Sequence, residues 1–219
     1  VDYYAGQSSF FAVGSTGFSS LNTSTYNSIY ATNSIIGVGI FSFSDKRIKN
    51  VIGRTNNTKD LETLSKIKIT DYKYIDTIAR SNRVVKKLIA QELKEVYPNS
   101  VSVNKDFIPN IFKKAQITKG WITISNDLKK GDRVKMQTKN GDLIAIVEEA
   151  NSNKFKINSD VNEDAFIYGK EVDDFHVVYY EAVSMLNVSA TQELLKRIEG
   201  LEKENTILKQ QRLSLIHIS

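Results

Sequence analysis

The chain has 219 residues, 30 Lys and Arg against 25 Asp and Glu, and a formal net charge of +5. It has no cysteine and two histidines, His176 and His217, which excludes disulfides, Cys-ligated zinc and cysteine nucleophiles, and argues against multi-His metal sites and a Ser-His-Asp triad. The longest apolar runs, such as 35–43, fall short of the roughly 20 residues a membrane helix needs.

Charge is unevenly distributed. Residues 1–43 contain no Lys or Arg and a single acid, Asp2. All 30 basic and 24 of the acidic side chains follow residue 43. The first stretch is rich in Ser, Thr, Asn, Tyr and Phe, with Gly at 6, 14, 17, 37 and 39. That texture suits short strands and turns. So few uncharged residues bury little core by themselves. The segment therefore reads either as partly disordered or as the end of a longer, intertwined fibrous β structure. The chain begins with Val and shows no signal-peptide pattern, so it reads as a fragment.

After residue 43 the patterning is that of a charged globular protein. Asp60 is the expected N-cap of a short helix whose apolar residues, Leu61, Leu64 and Ile67, recur at helical spacing. Residues 69–75 alternate as a strand, with Tyr72 and Tyr74 on one face. A strand around Val84 to Ile89 leads into a helix over 90–96, ended by Pro98. Residues 101–103 predict a short strand, and Pro109 a turn or edge segment.

From 121 to 168 the rhythm is that of a small β-meander or barrel. Asn140-Gly141 predicts a hairpin turn between 134–138 and 143–147. Lys129-Lys130-Gly131-Asp132 lacks the rest of a phosphate loop. Trp121 and the tyrosines are expected in the core or at an interface. His176 is expected in a structural or trimer-contact role. Glu171, Asp173 and Asp174 lack the spacing of a coordination loop and predict a solvated turn.

A final helix extends to Gln211. Leu194, Leu201 and Leu208 fall at d, and Ile198 and Asn205 at a, of a heptad pattern. A self-associating coiled coil is the expectation; an amphipathic helix packed on its own domain gives nearly the same spacing. Residues 213–219 break the pattern. They resemble the translation of a sequencing-library adapter and are set aside, His217 with them.

The chemistry concentrates near residue 44. A serine hydroxyl needs a base to act as a nucleophile. Lysine serves when burial or neighbouring cations disfavour its charged form. Ser44 and Lys49 are such a pair, with Lys46 and Arg47 close by. Taken alone, a serine five residues from a lysine is a weak signal.

The run Ser44-Asp45-Lys46-Arg47-Ile48-Lys49-Asn50-Val51-Ile52 resembles the S-D-x-R-x-K-x-x-I signature of the peptidase S74 family. This family is the C-terminal intramolecular chaperone domain of phage endosialidase tailspikes, tail fibres and neck appendages. Leu61-x-x-Leu64, Tyr72-x-Tyr74 and Ile89-Ala90-Gln91-Glu92-Leu93 with Pro98 and Val101 follow in the family's order. The resemblance spans about 36–112 and 173–211. Lys86-Lys87-Leu88 departs from the family's usual Gly and aromatic or Leu before the I-A-Q-E block.

The resemblance implies an α+β chaperone that trimerises and assists folding of a fibrous passenger upstream. It implies self-cleavage at Phe43–Ser44, with Ser44 as nucleophile and Lys49 as general base. Asp45 matches the motif, as a supporting residue or as a turn cap. The implied layout is 1–43 passenger end, 44–116 chaperone core, 117–170 inserted β module, 171–212 strand and trimeric coiled-coil helix, and 213–219 extraneous. The implied partners are two further copies, joined through the C-terminal helix and β-rich regions, and the chain's own passenger. No cofactor, metal, nucleic acid or membrane contact is expected, and the implied location is a virion assembled in host cytoplasm. Two other readings stay open: a trimerisation cap that never cleaves, and a myelin-regulatory-factor-like domain that frees a transcription factor.

Overall fold

A computed structural model describes residues 44–216, with side chains to residue 214. The expectations for the passenger end, for Phe43 and for His217 lie outside the described residues. The chain divides into two compact units. One takes in 73–83 and 103–175; the other takes in the described residues to Tyr72, then 84–102 and the chain from His176 onward.

The first unit is dominated by a closed β-barrel. Its strands are β4 (Lys113–Thr118), β5 (Trp121–Thr123), β6 (Arg133–Thr138), β7 (Gly141–Asn151), β8 (Lys154–Ile157) and β9 (Glu163–Val178). The ring order is β9-β4-β5-β8-β7-β6, and β6 pairs back onto β9 to close it. A further strand, β3 (Val101–Phe107), pairs with β9 outside the ring. The expected β-barrel is therefore present. β9 is one continuous strand through residues 170 and 171, where the sequence suggested a boundary.

Period-2 alternation explains closure. Val134 and Met136, Ala145 and Val147, Phe155 and Ile157, and Ala165 and Ile167 all point inward and are buried. Ile117 and Ile122 complete the filling. The interior is packed with side chains, as expected of a small barrel.

The β6–β7 hairpin forms where expected, with Thr138 opposite Gly141. The positive φ falls at Gly141 (117°), and neither Lys139 nor Asn140 shares it. The turn is thus not the primed type that Asn-Gly usually signals. The Lys129–Asp132 run is a tight turn entering β6. Asp132 Oδ2 accepts from the Lys129 amide at 2.8 Å, and Gly131 takes a φ of 93°.

The second unit holds a small antiparallel pair, β1 (Thr70–Tyr72) and β2 (Val85–Lys87), and three helices: α1 (Asn57–Leu64), α3 (Ala90–Val96) and α4 (Tyr180–Ile216). The short α2 (Thr77–Arg80) belongs to the first unit. α3 buries Leu93 and is followed by Pro98, which opens a 3-10 turn. α1 starts earlier than expected. Its cap is Asn56, whose side chain accepts from the Lys59 amide at 3.1 Å, and not Asp60. α4 is a single helix of 37 residues that continues through residue 213, where a break in pattern was expected.

α4 uses two neighbouring stripes. Leu186, Ser189, Ala190 and Glu193 are buried, and α1 packs against α4. Leu194, Ile198, Leu201 and Leu208, the heptad positions, are 44 to 58% exposed. The two patterns are therefore separate, one intramolecular and one open. Among the described residues, no helix is long and apolar enough to cross a membrane.

Candidate active site

The candidate site lies at the start of the described chain, on a 3-10 turn over Lys46–Ile48. Asp45 begins it. Its Oδ1 accepts from the Arg47 amide at 2.8 Å, satisfying one of the donors a helix start leaves open. The Ile48 amide donates to the Asp45 carbonyl at 3.3 Å, and the Lys49 amide to that of Lys46 at 3.1 Å. These i→i+3 bonds fold the chain back within one turn.

That return places Lys49 against Ser44. Lys49 Nζ donates to Ser44 Oγ at 2.6 Å. The two residues expected to act together are thus in direct hydrogen-bond contact within one chain. Both are exposed. The separation is short enough for direct proton transfer between serine oxygen and lysine nitrogen.

Asp45 faces elsewhere. Its carboxylate grips the Arg47 guanidinium through Nε at 3.0 Å and Nη2 at 2.7 Å. The Arg47 side chain, and secondarily its amide, hold the Asp45 carboxyl below its ordinary pKa. Asp45 reciprocally raises that of Arg47. Of the two roles the sequence left open, turn cap or supporting residue, the described contacts of Asp45 are those of the cap. Phe43, whose carbonyl Ser44 would attack, lies outside the described residues.

Other residues singled out in the sequence have local partners. Arg80 sits 5.1 Å over the Tyr74 ring, and Lys154 Nζ 4.6 Å over that of Trp121. Asp173 pairs with Lys105 at 2.8 Å, and Glu171 with Arg133. His176 Nε2 lies 3.3 Å from Lys94 Nζ. Among the described residues, no group of three or more His, Cys, Asp or Glu is arranged to hold a metal.

One functional-looking cluster escaped the sequence. Asp60 Oδ2 accepts from Thr55 Oγ1 and from Ser189 Oγ, each at 2.6 Å. Asp60 precedes an apolar run, which in the sequence reads as an N-cap. Ser189 is 129 residues away and carries no sequence signal linking the two.

The Ser44–Lys49 pair lies within the signature run 44–52, on a turn that leads into α1. Residues 44–102 match the family model Peptidase_S74, described as the chaperone of endosialidase. The match opens on Ser44 itself and covers α1, β1, β2 and α3. It therefore spans the signature, the tyrosine strand and the I-A-Q-E block, and supports a chaperone role. No curated protein matches the chain.

Proposed function

We propose that this chain is a trimerising intramolecular chaperone that folds a fibrous passenger upstream and then frees itself by cutting Phe43–Ser44. The observation that carries the reading is the 2.6 Å contact between Lys49 Nζ and Ser44 Oγ, at the residue where the family match begins. The passenger is viral or phage-like, and the setting a virion precursor assembled in host cytoplasm.

The chemistry follows from the pair. Lys49, as the free amine, takes the Ser44 hydroxyl proton while Oγ attacks the Phe43 carbonyl. The C–N bond breaks, and Lys49 returns the proton to the departing amine, which is Ser44's own. Residue 43 is then held as an ester on Ser44 Oγ. Water hydrolyses the ester, leaving a carboxylate on Phe43 and a free hydroxyl on Ser44. Nucleophile and target are adjacent in the chain, so positioning supplies much of the rate. An exposed lysine is ordinarily cationic. Burial between subunits favours the free amine, which would link cleavage to assembly. The open stripe of Leu194, Ile198, Leu201 and Leu208 on α4 supports that assembly. Once the chaperone leaves, the passenger is held by its unfolding barrier alone.

The test is intact mass of the purified chain beside its Ser44→Ala variant. The expected result is two wild-type fragments whose masses place the cut between residues 43 and 44, and one intact variant. A wild type that stays whole rejects self-cleavage and leaves the non-cleaving trimerisation cap.

A further inference from the structure

Ser44 carries both ends of the proposed exchange. Its Oγ is the nucleophile and its own amide nitrogen is the group displaced, so the leaving amine cannot leave. When the C–N bond breaks, the acyl group moves from nitrogen to Oγ, and the freed amine stays beside it on the same Cα. That amine reaches the ester carbonyl through a ring of the carbonyl carbon with Ser44 N, Cα, Cβ and Oγ. Attack there breaks the ester C–O bond, passes a proton from nitrogen to Oγ and restores the peptide. Geometry held in this way is worth an effective concentration of roughly 10⁵–10⁸ M, so the unprotonated amine outcompetes solvent for the acyl group.

The surroundings of Ser44 do little to tip that contest toward water. Among the described residues, Lys49 Nζ, at 2.6 Å, is the side-chain partner of Ser44 Oγ. The neighbouring acid, Asp45, is occupied: Oδ1 accepts from the Arg47 amide and Nε, and Oδ2 from Nη2. The Arg47 side chain holds its carboxyl below the ordinary pKa, which makes it a poor base for water. Lys49 must therefore serve twice, first for the serine hydroxyl and then for the water that attacks the ester. Residues 44–56 are all exposed, so small solutes have access to Ser44 past the described chain.

We infer that the ester on Ser44 is a branch point: the Ser44 amine recaptures the acyl group faster than water removes it, and a small unprotonated nitrogen nucleophile from solvent takes that group in water's place. This rests on the self-cleavage reading. It goes beyond it by making hydrolysis the slow step and by giving the site a second class of acyl acceptor. With hydroxylamine as acceptor, its nitrogen attacks the ester carbonyl, the bond from that carbon to Oγ breaks, and Lys49 carries the proton lost by the nitrogen to Oγ. The products are a hydroxamate on residue 43 and a Ser44 with free hydroxyl and free amine.

The test incubates the full chain and its Ser44→Ala variant with increasing hydroxylamine at neutral pH, where that probe is unprotonated, and follows intact mass over time. Ser44 is exposed, so the substitution leaves the fold in place. The wild-type N-terminal fragment should be heavier than the acid by one NH group, and total cleavage should speed several-fold, in proportion to hydroxylamine. Ser44→Ala should stay uncut at 43–44. Fragment masses separate this cut from one at the hydroxylamine-sensitive Asn140–Gly141 bond. A hydroxamate formed at an unchanged total rate reports an ester that does not revert, and overturns the recapture. An acid fragment alone at every concentration, or a Ser44→Ala chain cut as fast as the wild type, overturns the inference. The first of these leaves self-cleavage standing. A wild type that stays whole in buffer but is cut with hydroxylamine supports the branch point and rejects hydrolytic self-cleavage. A wild type whole in both overturns both.

Discussion

Lys49 and Ser44 are five residues apart in sequence and 2.6 Å apart in space, brought together by a single 3-10 turn. An extended chain of that length would separate them by more than about 15 Å. The turn closes because Asp45 caps it and Arg47 occupies Asp45, so the one acid of the motif is spent on backbone geometry. The signature thereby holds two contacting pairs: Ser44 with Lys49 at the candidate site, and Asp45 with Arg47 shaping the turn.

The proposed base must give up its proton, which separates lysine from arginine. Lys49→Arg retains a cation that reaches Ser44 Oγ, but a guanidinium does not deprotonate in proteins. Cleavage should fall by roughly 100- to 10,000-fold, the usual worth of a general base. Time-resolved intact mass measures it. A Lys49→Arg chain that cuts at the parent rate removes lysine from the mechanism.

The barrel depends on a close backbone approach at Gly169. Its φ is 154°, and an added Cβ would strike the Ile108 carbonyl oxygen and the Asn110 side chain. The register slips here, with Tyr168 as the extra residue between Ile167 and Gly169, and the Ile111 and Phe112 amides donate to the Tyr168 carbonyl. Gly169→Ala combines a strained φ with collision against backbone. It should destabilise the barrel by more than about 1 kcal/mol, read by chemical denaturation. Phe155→Ala, which empties a fully buried position, is the reference and should lose about 3–5 kcal/mol.

Beside Gly169 lies an acid-sensitive contact. Asp127 accepts from Lys170 Nζ at 2.7 Å and from Asn110 Nδ2 at 2.6 Å. Lys170 is the main cause holding the Asp127 carboxyl below its ordinary pKa. A depressed folded-state pKa contributes stability at pH above the unfolded value, which is lost as pH falls through the folded one. The Asp127 contribution should therefore be constant at neutral pH and fade below about pH 4. The side chain is largely exposed, so the effect is small. Thermal melts of wild type and Asp127→Asn should differ at pH 7 and converge in acid. Curves that stay parallel down to pH 2 refute the assignment.

Local signals were readable in the sequence where neighbouring residues decide the outcome. The barrel strands follow from period-2 alternation, the end of α3 from Pro98, and the Ser44–Lys49 pair from the signature. What was not readable depends on distant partners. Asp60 looked like a cap because Asp precedes an apolar run, but Asn56 begins the helix and Ser189 claims the carboxylate. Asn140-Gly141 predicted the hairpin's position but not its turn type, since the ladder register puts Gly141 opposite Thr138. β9 runs past the expected boundary because one strand serves both the barrel and β3.

The α4 heptad distinguishes assembly from simple packing. Four apolar heptad residues, Leu194, Ile198, Leu201 and Leu208, stand open on one stripe, while the contact with α1 uses a different one. Burying each leucine is worth about 1.5–3 kcal/mol, multiplied across copies. In the proposed coiled coil Asn205 at a would add specificity, because its amide would be satisfied in that core only by its symmetry mates. Leu201→Lys with Leu208→Lys places like charges at successive d layers and leaves the α1 contact untouched. Sedimentation at micromolar concentration should then shift from three chains to one, with the helix content of α1 and α3 retained. Asn205→Leu should do the reverse, keeping association but admitting other oligomers, because the residue that selects the register is gone. A wild type that sediments as a monomer removes the trimer. Under the proposed link between assembly and cleavage, that chain should fail to cleave as well.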